Sequence, residues 1–127
     1  MRLELVLLVA LGGMLGSVTR YLVSPGVQSL LGGPVFPVGT LVVNVIGCFL
    51  IGLINGFAQS RGFITPSARA FLVVGVLGGF TTFSAFGYET FALAKDGSLP
   101  LAMLNAVAQL ALGVGAVWAA DQVAQGL

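Results

Sequence analysis

Four long apolar stretches with few charges constrain this chain more than any other feature. A helix that crosses the hydrocarbon core of a bilayer needs about 20 mostly apolar residues. Only 7% of the 127 residues are charged, whereas a soluble domain carries about 25%. The sequence therefore predicts an all-α membrane protein with one integral membrane domain, residues 1–127, whose spans are Leu3 to Val23, Pro37 to Ala58, Ser67 to Ala94 and Leu99 to Ala124.

The composition excludes several functions. The chain has no histidine and one cysteine, Cys48, so a side-chain metal cluster and an intrachain disulfide are not expected. Basic and acidic residues nearly balance at 5 against 4, which gives no indication of a nucleic-acid partner. A signal peptide is rejected because apolar segments continue to the C-terminus. No nucleophile–base arrangement is recognisable, so the chain is not expected to be an enzyme.

The connections between spans contain the helix breakers. Ser24-Pro25-Gly26 and Gly32-Gly33-Pro34 predict a loop between the first two spans, and Lys95-Asp96-Gly97-Ser98 predicts a tight turn. Four spans place both termini on one side of the membrane. Three basic residues then lie on that side and two on the other, namely Arg2, Arg61 and Arg69 against Arg20 and Lys95. This bias is weak, so a single orientation and insertion in both orientations stay open.

Small and polar residues recur at helical spacing. The pairs Gly12/Gly16, Gly52/Gly56 and Gly75/Gly79 predict close helix–helix approach. One stripe of the second span carries Thr40, Asn44, Gly47, Cys48, Ile51 and Asn55, and one face of the fourth carries Asn105, Gln109 and Gly113. Polar side chains in lipid tend to face the protein interior or a water path. Asn44 therefore either donates to an anion or makes a hydrogen bond between helices. Asn105 and Gln109 either line an aqueous track or bond to neighbouring helices.

The centre of the third span is poor helix material. Gly78-Gly79 is followed by Phe80-Thr81-Thr82-Phe83-Ser84, and glycine costs about 1 kcal/mol relative to alanine inside a helix. The pattern predicts a break, which is tolerated at membrane depth only where it is buried in protein or lines a cavity. Freed carbonyl oxygens suit a cation such as Na⁺. Phe83 and Phe86, three residues apart, are expected on one face, where their ring edges carry partial positive charge.

These motifs resemble one known family. The stretch from Gly78 to Phe86, together with Gly39-Thr40-Leu41-Val42-Val43-Asn44 and with Gly12-Gly13 followed by Arg20, is similar to the signature of the Fluc/CrcB fluoride channels. The resemblance implies a dual-topology antiparallel dimer with two pores at the subunit interfaces. It also implies a structural Na⁺ at the dimer centre, bound by the main-chain carbonyls of Gly78 and Thr81.

The resemblance further implies a set of pore residues. Phe83 and Phe86 would line the pore, Asn44 would donate to the permeating fluoride, and Arg20 would attract anions near a pore mouth. Ser84 would belong to the polar part of the break, and Thr82 and Gln109 complete the expected set. The chain departs from the family where hydroxyl residues are usual, at Ala85, Gly87, Gly113 and Val117. The departures leave open a homodimer or a heterodimer with a paralogous subunit.

The resulting prediction is a passive, fluoride-selective channel in the cell inner membrane that lowers the cytoplasmic fluoride concentration. The alternative is a proton-coupled small multidrug exporter, a class of similar length with four helices. Such exporters need a carboxylate deep in the first helix, whereas Glu4 lies at its start and Glu89 lies near the end of the third span. A scaffold subunit without transport activity is a third possibility, but it leaves the broken-helix motif unexplained.

Overall fold

The computed structural model describes residues 2–62 and 64–127, and all regular secondary structure in these residues is helical. Four helical segments are long and apolar enough to cross a membrane. They are α1 (Leu3–Leu31), α2 (Val38–Arg61), a third span over Pro66–Lys95, and the last helix over Leu99–Gly126. The third span divides into α3 (residues 66–80) and α4 (Phe83–Lys95), so the last helix is α5. The all-α membrane fold and the broken third span are confirmed.

The predicted end of the first span at Val23 is wrong, because α1 continues through Pro25 to Leu31. Proline removes one backbone donor, but membrane helices contain proline more often than soluble ones do. Leaving the helix at this depth would expose several backbone groups to lipid, which costs more than one missing hydrogen bond. The turn preference of the Ser-Pro-Gly sequence is therefore outweighed, and the loop is confined to residues 32–37.

Gln28, near the end of α1, fixes that loop to the next helix. Its Nε2 donates to the carbonyl oxygens of Gly33 (2.8 Å) and Phe36 (2.9 Å). Its Oε1 accepts from the backbone N–H of Gly39 (2.9 Å) in the first turn of α2. The residue before α2, Pro37, supplies no side-chain cap. Gln28 thus caps α2 from a neighbouring helix and closes the loop.

Glycine pairs bring the helices together as the sequence predicts. Along α1, Gly12 meets Gly75 of α3, Gly16 meets Val76 and Phe80, and Gly79 of α3 meets Gly13. A Cβ built at Gly12 would lie 2.9 Å from the Gly75 Cα. Along α2, Gly52 and Gly56 face α5, where Cβ atoms would lie within 2.9 Å of Ala120 and 2.6 Å of Ala124. The close approach of backbones replaces large side chains in this core, as is usual in membrane bundles.

The third span changes geometry before it breaks. Residues Ala70–Leu77 form a π-helical segment, Gly78–Phe80 return to α-helix, and the chain then becomes extended at Thr81 (φ −81°, ψ 159°) and Thr82 (φ −152°, ψ 109°). Helix resumes as α4 at Phe83. The break therefore lies at the two threonines, while Gly78 and Gly79 remain helical.

Candidate functional site

The break frees backbone groups that side chains then bind. In a continuous helix the Thr82 N–H would donate to the Gly78 carbonyl, but here it donates to Asn44 Oδ1 at 2.8 Å. The Thr82 hydroxyl accepts from the Ala85 N–H at 3.1 Å and caps the start of α4. The Gly78 carbonyl consequently lacks the donor that an unbroken helix would supply.

Asn44 on α2 forms hydrogen bonds with the backbone at the break. Its Nδ2 donates to the Thr82 carbonyl (3.1 Å) and to Gln109 Oε1 on α5 (3.0 Å), while its Oδ1 accepts from the Thr82 N–H. Of the two interpretations of Asn44, the hydrogen bond between helices is thus present. The Gln109 Nε2 is buried and has no hydrogen-bond partner among the described residues.

Arg20 lies at the break, because α1 continues well past it. Its Nη1 donates to the Thr81 carbonyl at 3.2 Å. This carbonyl lies at the C-terminal end of α3, where exposed carbonyl groups favour a cation. Arg20 therefore stabilises the interrupted backbone.

A cavity of about 340 Å³ lies on one side of the break. The Phe83 and Phe86 rings meet edge to face there, with centroids 5.4 Å apart and planes at 70°. Five further predicted residues also line it, namely Asn44, Gly78, Thr81, Thr82 and Gln109. The structure thus brings most of the predicted site together around one mainly apolar space. Phe83 is 80% exposed in the single chain.

A second, polar cavity of about 520 Å³ lies on the other side of the break. Its walls contain the remaining predicted residues, Arg20 and Ser84, together with Ser24, Thr40 and Glu89. Thr82 lines both cavities, and its hydroxyl lies 3.3 Å from the Ser84 hydroxyl. The extended Thr82 segment is therefore the wall that the two spaces share.

The sequence interpretation missed the pairing of Glu89 with Thr40. Thr40 is only 6% exposed, and its hydroxyl donates to Glu89 Oε1 at 2.6 Å. The other carboxyl oxygen is buried with no partner among the described residues. Glu89 is thus directed toward the polar cavity. Two sequence features could have predicted this pair: Thr40 lies at the head of the polar stripe on the second span, and Glu89 is a carboxylate within a span.

The positions that depart from the family pattern have different surroundings. Gly113 is buried against Cys48, whose Sγ would lie 3.4 Å from a Cβ at that glycine. Ala85 lines the polar cavity. A Cβ at Gly87 would meet nothing within 4 Å. The Val117 backbone packs against Gly52. A larger side chain at Gly113 would thus have to fit beside Cys48.

The fold and the site define a multi-pass membrane protein of the channel or carrier class. It has four apolar spans, a backbone break within the third span, and polar groups gathered around that break. The chain belongs to the CrcB family, because residues 7–120 match the family described as "CrcB-like protein, Camphor Resistance (CrcB)".

Curated relatives agree with this assignment. The "Fluoride-specific ion channel FluC" of Geobacter sulfurreducens is 48% identical over 96% of this chain and 98% of its own length. The protein of the same name from Agrobacterium fabrum is 50% identical over 88% of this chain and 89% of its own length. "Fluoride-specific ion channel FluC 3" of Methanosarcina barkeri is 41% identical over 96% and 91%. The predicted family is confirmed, its non-enzymatic character agrees with these names, and the multidrug-exporter alternative gains no support.

Proposed function

We propose that this chain is a subunit of a passive, fluoride-selective ion channel. The observation that carries the proposal is the broken third span, where Thr82 separates an aromatic-lined cavity from a polar one. Relatives named as fluoride-specific channels match this chain over nearly its whole length, which supports the choice of ion.

Selectivity follows from the chemistry along this route. Fluoride is small and strongly hydrated, so a selective pore has to replace its water with donors and positive edges at close range. Phe83 and Phe86 offer ring edges, and the carboxamides of Asn44 and Gln109 and the hydroxyls of Thr82 and Ser84 offer polar contacts. Arg20 adds positive charge beside the polar cavity, where its field attracts anions. Among the described residues that line the aromatic cavity, none carries a positive charge.

Passive flow is the simplest transport mode for this route. Flow down the electrochemical gradient needs no coupling site, and a cell with a negative interior would expel fluoride by this means. The proposed location is the cell inner membrane, with export lowering the cytoplasmic fluoride concentration.

We propose that the functional unit is a dual-topology antiparallel dimer. Gly78 and Phe83 are exposed in the single chain, although the interrupted backbone lies within a spanning segment. Irregular backbone at membrane depth has to be covered by protein or line a cavity. A second copy placed over this face supplies the cover and completes the wall of the aromatic cavity on each side. The name "FluC 3" implies several copies in one organism, so a heterodimer with a paralogous subunit is the variant of this proposal.

The main-chain carbonyls of Gly78 and Thr81 are proposed to hold a structural Na⁺ between the subunits. Both residues line the same cavity, and the Gly78 carbonyl has lost its helical donor because Thr82 N–H binds Asn44. The Thr81 carbonyl accepts from Arg20, but a carbonyl oxygen has two lone pairs. The residues therefore fit the ion, which would add positive potential beside the anion route and join the subunits.

The proposed function is testable in bacteria that lack their own fluoride export. Expression of this chain is expected to restore growth in millimolar-range fluoride. A variant with Phe83 and Phe86 both replaced by isoleucine, expressed to the same level, is the control. Absence of rescue by the well-expressed chain would contradict the proposal.

A further inference from the structure

We infer that Arg69, held by Asn55, forms a second positively charged entrance to the aromatic-lined cavity, at the end of the cavity that lies away from the break. This inference rests on the proposed function. It assigns a role to Asn55, the last member of the polar stripe on α2.

The aromatic-lined cavity extends from the break toward the start of the third span. Of the residues that line it, Ile51 lies farthest from the break on α2, and Val73 lies farthest from it on the third span. Asn55 follows Ile51 by one helical turn, a rise of about 6 Å. Arg69 precedes Val73 on the third span, and its Nη1 donates to Asn55 Oδ1 at 2.9 Å. The pair therefore forms the layer just beyond this end of the cavity.

The hydrogen bond fixes the position of Arg69 without cancelling its charge. Asn55 Oδ1 belongs to a neutral amide, and a guanidinium has several further N–H donors. The Arg69 side chain is exposed, so these donors stay accessible. Asp121 on α5 is engaged elsewhere, since its Oδ2 accepts from Gln125 Nε2 at 2.7 Å and its Oδ1 would lie 3.1 Å from a Cβ at Gly56. Asn55 thus holds a full positive charge in place.

An anion that leaves the aromatic rings in this direction meets an apolar wall. Aliphatic side chains line this part of the cavity, namely Ile51, Val73, Leu77 and Leu110. Such groups do not replace the lost hydration of an ion, so its passage is costly. The Asn55 layer lies about 6 Å beyond Ile51 along the helix axis, which is within the Debye length of about 8 Å at physiological ionic strength. A positive charge fixed there lowers the energy of an anion at the end of the cavity.

Arg20 does not supply this charge. It donates to the Thr81 carbonyl at the break and lines the polar cavity. The two arginines therefore serve opposite ends of the route, with Arg20 beside the polar cavity and Arg69 beyond the aromatic one. In an antiparallel dimer, one Arg69 entrance would face each side of the membrane.

The test separates the charge of Arg69 from its contact with Asn55. Arg69→Gln removes the charge and retains an N–H donor, whereas Asn55→Asp turns the contact into an ion pair and cancels the charge. In proteoliposomes at low ionic strength, we expect each change to lower fluoride flux by about threefold or more. Added potassium isethionate should shrink the difference from the unsubstituted chain, because salt screens exposed charges. Arg69→Lys should retain most of the flux.

Arg61→Gln is the matched control, because Arg61 ends α2 at the same end of the bundle and donates to the Leu127 carbonyl instead. Its flux should equal that of the unsubstituted chain. If Arg69 only supports the fold, Asn55→Asp would keep full flux and the loss in Arg69→Gln would be the same at every salt concentration. Either result would overturn the inference.

Thiol modification keeps the inference testable if these variants fold poorly, because both charges are then compared on one folded protein. Reconstituted Arg69→Cys channels would be treated with a cationic or an anionic methanethiosulfonate reagent. The unsubstituted chain, which contains Cys48, would be treated in parallel. We expect the cationic reagent to raise fluoride flux and the anionic reagent to lower it, and equal flux after both would overturn the inference. Absence of fluoride flux through the unsubstituted chain would instead contradict the proposed function.

Discussion

Isoleucine in place of Phe83 or of Phe86 is expected to lower fluoride flux by at least about tenfold, which corresponds to a barrier higher by about 1.4 kcal/mol. The two rings meet edge to face at 5.4 Å in the cavity wall. Isoleucine preserves the apolar bulk and removes the polarised ring edge. Loss of the ring edge should therefore slow the passage of fluoride and leave the fold intact.

Fluoride flux in proteoliposomes measures this effect, with dimer content and thermal unfolding in detergent measured in parallel. Phe91→Ile is the matched control, because Phe91 lies on the same helix with 62% of its side chain exposed and does not line the aromatic cavity. Fluxes of both cavity variants equal to that of Phe91→Ile would remove the phenylalanines from the route.

Gly16→Ala, the smallest change at that position, is expected to have the largest effect on folding among the substitutions proposed. A Cβ there would lie 2.8 Å from the backbone nitrogen of Phe80 and 2.9 Å from the carbonyl carbon of Val76. These are backbone atoms, so no side chain can rotate away. Gly16→Ala should force α1 away from α3 just before the break and lower the free energy of unfolding by about 3 kcal/mol.

Gly13→Ala is the control, because a Cβ at Gly13 would meet nothing within 4 Å. Alanine there should be neutral or stabilise the helix by up to about 1 kcal/mol. The measurement is thermal or denaturant unfolding of the purified proteins in one detergent, together with the fraction that is dimeric. Equal stability of the two variants would show that α1 and α3 are not held together by this backbone contact.

Local features of the sequence predicted the architecture well. Charge depletion and segment length determine four spans, since a bilayer allows few alternatives. The Gly12/Gly16 and Gly75/Gly79 pairs predicted close packing, and all four glycines lie at the contact between α1 and α3. The hydroxyl-rich centre of the third span predicted the break, although it occurs at Thr81 and Thr82 rather than at the glycines.

The contacts that define the site are distant in sequence and were therefore less predictable. Asn44 meets Gln109 across 65 positions, and Thr40 meets Glu89 across 49. Helical periodicity shows which face a side chain occupies, but a single sequence does not show which partner it meets. The Ser-Pro-Gly signal in α1 failed for a related reason, since local turn preference is outweighed by the requirement that backbone groups stay bonded in lipid.

Fluoride efflux from liposomes tests the central claim most directly. The purified chain alone would be reconstituted in vesicles loaded with potassium fluoride, and an electrode would follow fluoride release after valinomycin is added. The account predicts rapid release of fluoride and none of chloride from matched vesicles loaded with potassium chloride. Equal release of both anions, or no fluoride release from a folded dimer, would contradict a fluoride-selective channel formed by this chain.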